Sequence, residues 1–445
     1  MTGLLLPPEA LRGLLRQVLD DKAEQGHVVA GLDAALAALP SSYDDLAAFA
    51  ERLAELPMRD DWEFVEPDDL PSIRAECDAA RAPDNAAEQR AVASRIETAW
   101  LARVAGCVLG KPFEFDPTLD ELRGVLEPAG EWPLRDYVTA ATNATLRDPQ
   151  AQSPECVREN LAHVPEDDDL NYTVLALVLL EQHGASFTHD DLRRLWLLNL
   201  PVAATFGPER TQLLAAGLAT LAGWAGVDVD DSRWTAVLNP ADEHCGALIR
   251  ADAYGYASPG QPERAAALAY RDASLTHRRT GVYGAMWVAA AIATALVSDD
   301  WRAVGATALA HVPQRSRFAR IVADSLTEVD AATDWLDGYA RIHGRYAAYS
   351  HCRVYQEVGT LLNTLRFADD VGHGIGLQVC QGNDTDSFGA TAGSLLGALH
   401  GPDGFDRRWI APFRDEIHLA LACVHEHSLS ALATRMAALP QAPFK

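Results

Sequence analysis

The sequence predicts an all-α fold, a compact multi-helix bundle, and three observations carry that reading. Ala-rich and Leu-rich segments recur at the spacing of a helix face along the whole chain. No alternating apolar–polar run and no hairpin signal stands out, so strands have little to form from. Within Gly382–Gly401, Gly389, Gly393 and Gly397 recur every four residues and share one face of a helix. A glycine inside a helix costs about 1 kcal/mol relative to alanine. Three on one stripe therefore point to a backbone that comes very close to another element.

Composition sets the frame. The 445 residues are 48% hydrophobic and 22% charged, ordinary for a globular chain able to bury a large core. Acidic residues outnumber basic ones 63 to 37, a formal net charge of -26. Such a surface repels nucleic acid and anionic membranes, because sequence-independent binding of nucleic acid rests on Lys and Arg neutralising phosphates. Neither is expected as a partner. The longest apolar run, Tyr283 to Val297, falls short of the roughly 18 residues that a membrane span needs. The N-terminus lacks the basic and apolar regions of a signal peptide. The seven cysteines are scattered without a C-x-x-C pair, which predicts free thiols in a reducing compartment. The expected location is the cytoplasm.

Residues 1–92 are predicted to form a helical N-terminal extension packed on the main body, residues 93–445. Pro7-Pro8 precede a helix over Glu9–Leu19, and Asp44 caps a second whose stripe is Leu46, Phe49, Leu53 and Leu56. Trp62 and Phe64, in an acidic and Pro-bearing segment, are expected anchors onto the body. Pro83-Asp84-Asn85 opens a long helix, with Ile96, Trp100 and Val104 four apart. It runs into Gly106-Cys107-Val108-Leu109-Gly110-Lys111-Pro112-Phe113-Glu114. That stretch is not a phosphate-binding loop. Three residues rather than four separate Gly106 from Gly110-Lys111, and Pro112 stands where Ser or Thr is required.

Residues 115–165 read as loop and short helix punctuated by proline. Glu166-Asp167-Asp168-Asp169 then leads into Tyr172–Leu180, nearly all apolar over more than two turns, which places that helix in the interior. Further helices are predicted over 211–224, 262–274, 282–297, 316–329, 332–346, 355–367 and 413–437. Gly372-His373-Gly374-Ile375-Gly376 lacks the preceding strand that a nucleotide loop needs.

Two acidic clusters thus stand at the mouths of buried helices: Glu166–Asp169, and Asn383-Asp384-Thr385-Asp386-Ser387 ahead of the glycine stripe. Carboxylates gathered there lose hydration and repel one another, costing several kcal/mol unless compensated. Few basic residues lie near either motif in sequence. A hard cation on oxygen ligands (Mg2+, Mn2+ or Ca2+) is the expected compensation. Two clusters of this size would hold a binuclear site that clamps substrate and water. The alternative is a solvated acidic helix cap for Glu166–Asp169, and an Asp/Ser cap on a tightly packed core helix for the second cluster.

On these residues the chain resembles the ADP-ribosylglycohydrolase family, which includes the dinitrogenase reductase-activating glycohydrolases and which the J1 crystallins resemble. Gly382 to Gly393 is similar to that family's C-terminal metal motif. Gly106 to Glu114 is similar to its N-terminal Gly-x-x-x-Gly-x-Pro-x-Glu, and Glu166–Asp169 stands where it has Thr-Asp-Asp-Thr. Leu275-Thr276-His277 matches in between, and the resemblance runs from residue 93 to the C-terminus. It implies an all-α bundle around two Mg2+ (or Mn2+) ions. Asp167, Asp168, Asp384 and Asp386 would be the carboxylate ligands, Ser387 a hydroxyl ligand, and Glu166 a replacement for a Thr ligand. Glu114 matches an acidic position that acts near the scissile bond. Three departures surround this set. Cys107 stands where the family often has Asp, Asp169 replaces the second Thr, and Cys245-Gly246-Ala247-Leu248-Ile249-Arg250 loses the Asn of Asn-Gly-x-x-x-Arg.

The implied activity is hydrolysis of a ribosyl N- or O-glycosidic bond by a metal-activated water, on an ADP-ribosylated protein or small molecule. Glu114 or Asp168 would move the proton. Tyr254, Tyr256 and Tyr283 are candidates to stack on a base, and His277 to meet a phosphate; core packing is the alternative for all four. The altered Cys245 and Asp169 motivate a second reading, an enzyme acting on a free nucleoside-like or NAD-derived compound. A third is a non-enzymatic, crystallin-like or ligand-binding member. Retention of acidic residues at 114, 167, 168, 384 and 386 argues against that third reading.

Overall fold

The computed structural model describes residues 7–78, 91–114, 117–146, 153–227, 232–349 and 352–441. Among them helices account for the architecture, and the only β pairing is three isolated bridges. No helix of the described residues is long and apolar enough to cross a membrane.

One helix pair organises the core. Val92–Gly110 and Thr385–His400 run backbone against backbone. A Cβ on Gly106 would sit 2.0 Å from the Gly389 carbonyl oxygen, and one on Gly393 2.2 Å from that of Ala102. Any side chain there would force the helices apart, so the glycine stripe is what lets them touch. The Thr385 hydroxyl adds a hydrogen bond to the Gly110 carbonyl at 2.8 Å. Around the pair lie Asp168–His183, buried from Asp169 to Leu180, and Arg279–Ala295, buried from Thr280 onward. Apolar on every side, both helices are interior elements.

The predicted helices are found at Pro8–Glu24, Tyr43–Ala54, Gly207–Trp224, Pro262–Ala273, Arg279–Ala295, Arg317–Ala331, Trp335–Tyr346 and Tyr355–Phe367. The start of the long helix expected at Pro83 lies outside the described residues. One segment differs from expectation. Over 413–437 only Leu429–Ala438 is helical. Arg414 and Asp415 take left-handed φ values of 54° and 63°. Ile417 N–H then donates to His427 O and His418 N–H to Val164 O, folding the segment back. Gly372–Gly376, already read as no nucleotide loop, is part of the helix Val371–Cys380, where a Cβ on Gly376 would lie 2.2 Å from the Leu134 carbonyl oxygen.

The N-terminal helices have a small core of their own, with Leu15, Leu36, Leu46 and Leu53 packed against Leu238. A polar seam fixes them to the body. Asp21 pairs with Arg353 at 2.6 Å, Gln25 donates to Asp242 at 2.7 Å, and Glu66 pairs with Arg317 at 2.9 Å. Arg317 lies 5.1 Å over Trp62, and Arg320 lies 4.2 Å over Phe64. Both expected anchors therefore touch the body through cation–π contacts.

Candidate active site

Three chain segments converge at one end of the central helix pair. The first is the turn Lys111–Phe113 that stops Val92–Gly110, because Pro112 cannot continue the hydrogen-bond ladder. It is followed by Glu114. The second is the mouth of Asp168–His183, where the Asp167 carboxylate caps the helix by accepting from Asp169 N–H at 2.9 Å. The third is the mouth of Thr385–His400. Gly382 and Asn383 reach it in left-handed conformations, φ 79° and 64°, and the Asn383 N–H holds the Pro117 carbonyl at 2.8 Å.

The two acidic clusters meet, and they meet around a lysine. Lys111 Nζ lies 2.8 Å from Glu114 Oε2, 2.8 Å from Asp167 Oδ2 and 3.0 Å from Asp386 Oδ2. The Asp167 and Asp386 oxygens are therefore about 6 Å apart at most, the sum of the two distances. Burial opposes ionisation of both partners, but the mutual attraction wins. It holds the ammonium charged and keeps Asp386 below the ordinary carboxylate range. Beneath this group, the Ser387 hydroxyl donates to Asp169 Oδ2 at 3.1 Å. Asp169 faces the buried guanidinium of Arg103 at 3.5 Å, and Arg103 also pairs with Asp252 at 3.0 Å. Burial and the neighbouring Asp167 push Asp168 and Asp169 far above the usual range, and burial with Asp386 does the same to Asp384.

These contacts decide how the oxygen set fits two hard cations. Asp167 and Asp386 share the Lys111 ammonium, and Ser387 is committed to Asp169. Asp384 Oδ2 is approached by two thiols, Cys352 Sγ at 3.2 Å and Cys245 Sγ at 3.4 Å. The lysine thus supplies the positive charge where one ion would need its carboxylates, and this arrangement does not fit a pair of magnesium ions. Glu166, expected as a further ligand, is exposed and does not line the cavity.

A cavity of about 240 Å³ opens onto the site. Glu114, Asp168, Asp384 and Ser387 form its polar side, with Cys245 and Cys352 beside them. Tyr172, Phe206, Pro208 and Ile249 form an apolar wall, and His244 lines it too. Phe206 is 58% exposed, an aromatic ring at the rim.

The four residues expected to contact substrate lie elsewhere, and their role is corrected to core packing. Tyr254 is fully buried and donates to Asp272 at 2.7 Å, Tyr256 pairs with the Ser394 hydroxyl at 2.6 Å, and Tyr283 donates to the Pro67 carbonyl at 2.6 Å. His277 is also fully buried, its Nδ1 2.7 Å from the Thr276 hydroxyl, and burial holds the ring neutral. Each of the three hydroxyls already has an internal partner, as buried polar groups require, and the His277 ring is held through Nδ1. Arg250 is structural as well, caught between Glu209 and Asp272.

Lys111, Phe206 and Cys352 are the site residues that the sequence reading missed. The signal for Lys111 was its place three residues before Glu114, in the same motif. Phe206 stands at the start of the helix Gly207–Trp224 and carried no pattern of its own.

Comparison with known proteins gives the family and the fold. The family model described as ADP-ribosylglycohydrolase matches residues 88–442. A solved structure titled "ADP-ribosylglycohydrolase-related protein complex" superposes with a TM-score of 0.52, at 19% identity, over 78% of this chain and 99% of that one. It shares the fold. No curated protein matches the chain. With the acidic motifs joined on one helix pair and the family model spanning nearly all of the body, the chain belongs to the ADP-ribosylglycohydrolase family.

Proposed function

We propose that the cavity hydrolyses a ribosyl N- or O-glycosidic bond of an ADP-ribosylated protein or small molecule. The observation that carries this reading is the pair of carboxyls, Glu114 and Asp168, beside Asp384 and Ser387 on one small cavity. Ribose hydroxyls are donors and suit such a floor. A pyrophosphate does not, and would be turned toward the rim, where Arg210 lies 5.2 Å over the Phe206 ring. The exposed ring of Phe206 is then the surface for a base or an aglycone.

Burial and the nearby Asp386 charge raise Glu114 to about 7, against the opposing pull of Lys111. A carboxyl poised there exchanges a proton at neutral pH, as an acid toward the leaving atom or a base toward water. Asp168, kept protonated by burial and Asp167, donates a hydrogen bond to a ribose oxygen or to the attacking water. Lys111 fixes the Glu114 carboxylate at 2.8 Å and so sets its direction into the cavity.

The volume supports a second reading. A space of about 240 Å³ is below the roughly 300–1,000 Å³ of pockets that enclose drug-sized ligands, which suits a free nucleoside-like or NAD-derived compound. Mass spectrometry of the products decides. Incubated with an ADP-ribosylated protein, an ADP-ribosylated small molecule and free nucleoside conjugates, each with and without Mg2+ or Mn2+, the chain should release ADP-ribose, and Glu114→Gln should not. Turnover of the free conjugates alone would transfer the proposal to the second reading. Inertness toward all of them would end both.

A further inference from the structure

Two thiols on the cavity wall, Cys245 and Cys352, have no part in the chemistry above. Cys245 Sγ, Cys352 Sγ and a carboxylate oxygen of Asp384 all lie within 4.8 Å of one another. They come from three different places in the chain: the turn Cys245–Ala247, the residue before Arg353 with φ 65°, and the mouth of Thr385–His400. No local sequence rule brings them together, yet both thiols point at the same atom, Asp384 Oδ2, at 3.4 and 3.2 Å. All three residues line the cavity, so a fourth direction is open.

We propose that Cys245, Cys352 and Asp384 form a site for one thiophilic divalent cation of the zinc class, with its fourth position facing the cavity. The spacing is the argument. With zinc–sulfur near 2.3 Å and zinc–oxygen near 2.0 Å, tetrahedral angles place each sulfur about 3.5 Å from the oxygen and the sulfurs about 3.8 Å apart. The observed sulfur–oxygen distances fall within a few tenths of an ångström of that, so the donors need little movement to close on an ion. Two sulfurs and one oxygen select zinc, cobalt or ferrous iron over magnesium, which takes oxygen donors. Three protein ligands with an open fourth position is also the arrangement of catalytic rather than structural zinc. On binding, both thiols and the Asp384 carboxyl lose their protons to solvent, and each sulfur and the carboxylate oxygen give a lone pair to the metal, with no change of oxidation state. The site adjoins the carboxylates gathered on Lys111 through the Asp384–Asp386 contact but draws two of its three ligands from outside them.

The test uses the full chain, reduced with a phosphine and freed of metal, titrated with Co2+ and then Zn2+. One cobalt per chain is expected, with near-ultraviolet thiolate-to-cobalt charge-transfer bands and the intense visible bands of tetrahedral cobalt. One equivalent of zinc should bleach both, and excess magnesium should leave them. Cys245→Ser and Cys352→Ser should each weaken or remove the charge-transfer band. Cobalt uptake without charge transfer, or no uptake by the reduced chain, would overturn the proposal. The wild-type spectrum decides this even if a variant fails to fold. No substrate is involved, so failure here would leave the glycosidic reading standing, and the reverse holds as well.

Discussion

Arg317 and Lys111 are both buried cations wrapped in carboxylates, one at the seam with the N-terminal helices and one at the acidic helix mouths. At the seam every carboxylate named here has a polar partner. Arg317 pairs with Glu66 and Glu243, and Arg353 with Asp21 and Glu24. The Asp242 carboxyl is met by the Gln25 amide. Arginine suits this work, because its planar fork serves several acceptors in fixed directions. At the helix mouths acid is in excess. Lys111 alone serves three carboxylates, and among the described residues no ion pair reaches Asp168 or Asp384. Both of them face the cavity, as Glu114 does. A buried cluster whose carboxylates are all partnered closes a seam, whereas one that leaves acids without an ion pair on a cavity keeps a demand for positive charge or donor groups that a ligand can meet.

The largest expected effect tests whether the excess is used. Glu114→Gln keeps the shape but removes the exchangeable proton. It should lower kcat by about 10²–10⁴-fold, the usual worth of a general acid–base group, with the melting temperature little changed. Steady-state kinetics on whichever substrate proves active measures this. A loss under tenfold would make the acidic excess a structural residue of the family rather than working machinery.

Next come the two cations themselves. Removing one partner of a buried ion pair costs about 3–5 kcal/mol, so Lys111→Met and Arg317→Met should both lower the melting temperature. They should differ in rescue. In Lys111→Met, the freed Asp167 and Asp386 oxygens can take a hard divalent ion, and Mg2+ or Mn2+ should restore much of the lost stability. In Arg317→Met, Glu66 and Glu243 are left in a closed seam that metal does not reach. Equal responses of the two variants in thermal-shift titrations would erase the distinction.

A smaller effect separates the rim from the core. Phe206→Ala removes an exposed ring and should raise KM by about 1–3 kcal/mol, the worth of stacking a base on an aromatic, without destabilising the fold. Tyr254→Phe, which removes a hydroxyl bonded to buried Asp272, should do the opposite: lower stability and leave KM alone.

Much of this was readable from the chain. The glycine stripe announced a close backbone approach, and Gly106 and Gly389 meet as that stripe requires. The acidic helix mouths were visible because each carboxylate run sits directly before an apolar helix. Lys111 was hidden because its partners lie far along the chain, Asp167 across 56 positions and Asp386 across 275. Local sequence around either acidic cluster gives no sign of a basic neighbour. The tyrosines misled for a related reason: an aromatic with a polar tip looks the same whether it meets a ligand or Asp272, Ser394 and Pro67. The overextended helix at 413–437 failed on backbone conformation, since neither Arg414 nor Asp415 is a residue that advertises left-handed φ.

The finest distinction between the clusters lies in pH. Burial, then the Asp386 charge, lift Glu114 to about 7, while Lys111 pulls it down. As the acid of the reaction, Glu114 must keep its proton, so kcat/KM should fall as pH rises through about 7. Stability follows the same sign. A carboxyl raised on folding stabilises fully below its unfolded value, and that contribution is lost as pH rises through about 7. Asp386, held low by Lys111, runs the other way and loses its contribution as pH falls. Lys111→Met removes the downward pull, so the alkaline limb of the rate profile should move to higher pH, and Lys111→Arg should leave it nearer the wild-type position. A limb that stays put in Lys111→Met would mean that the ammonium serves folding alone, as Arg317 does, and the two clusters would then be the same device used twice.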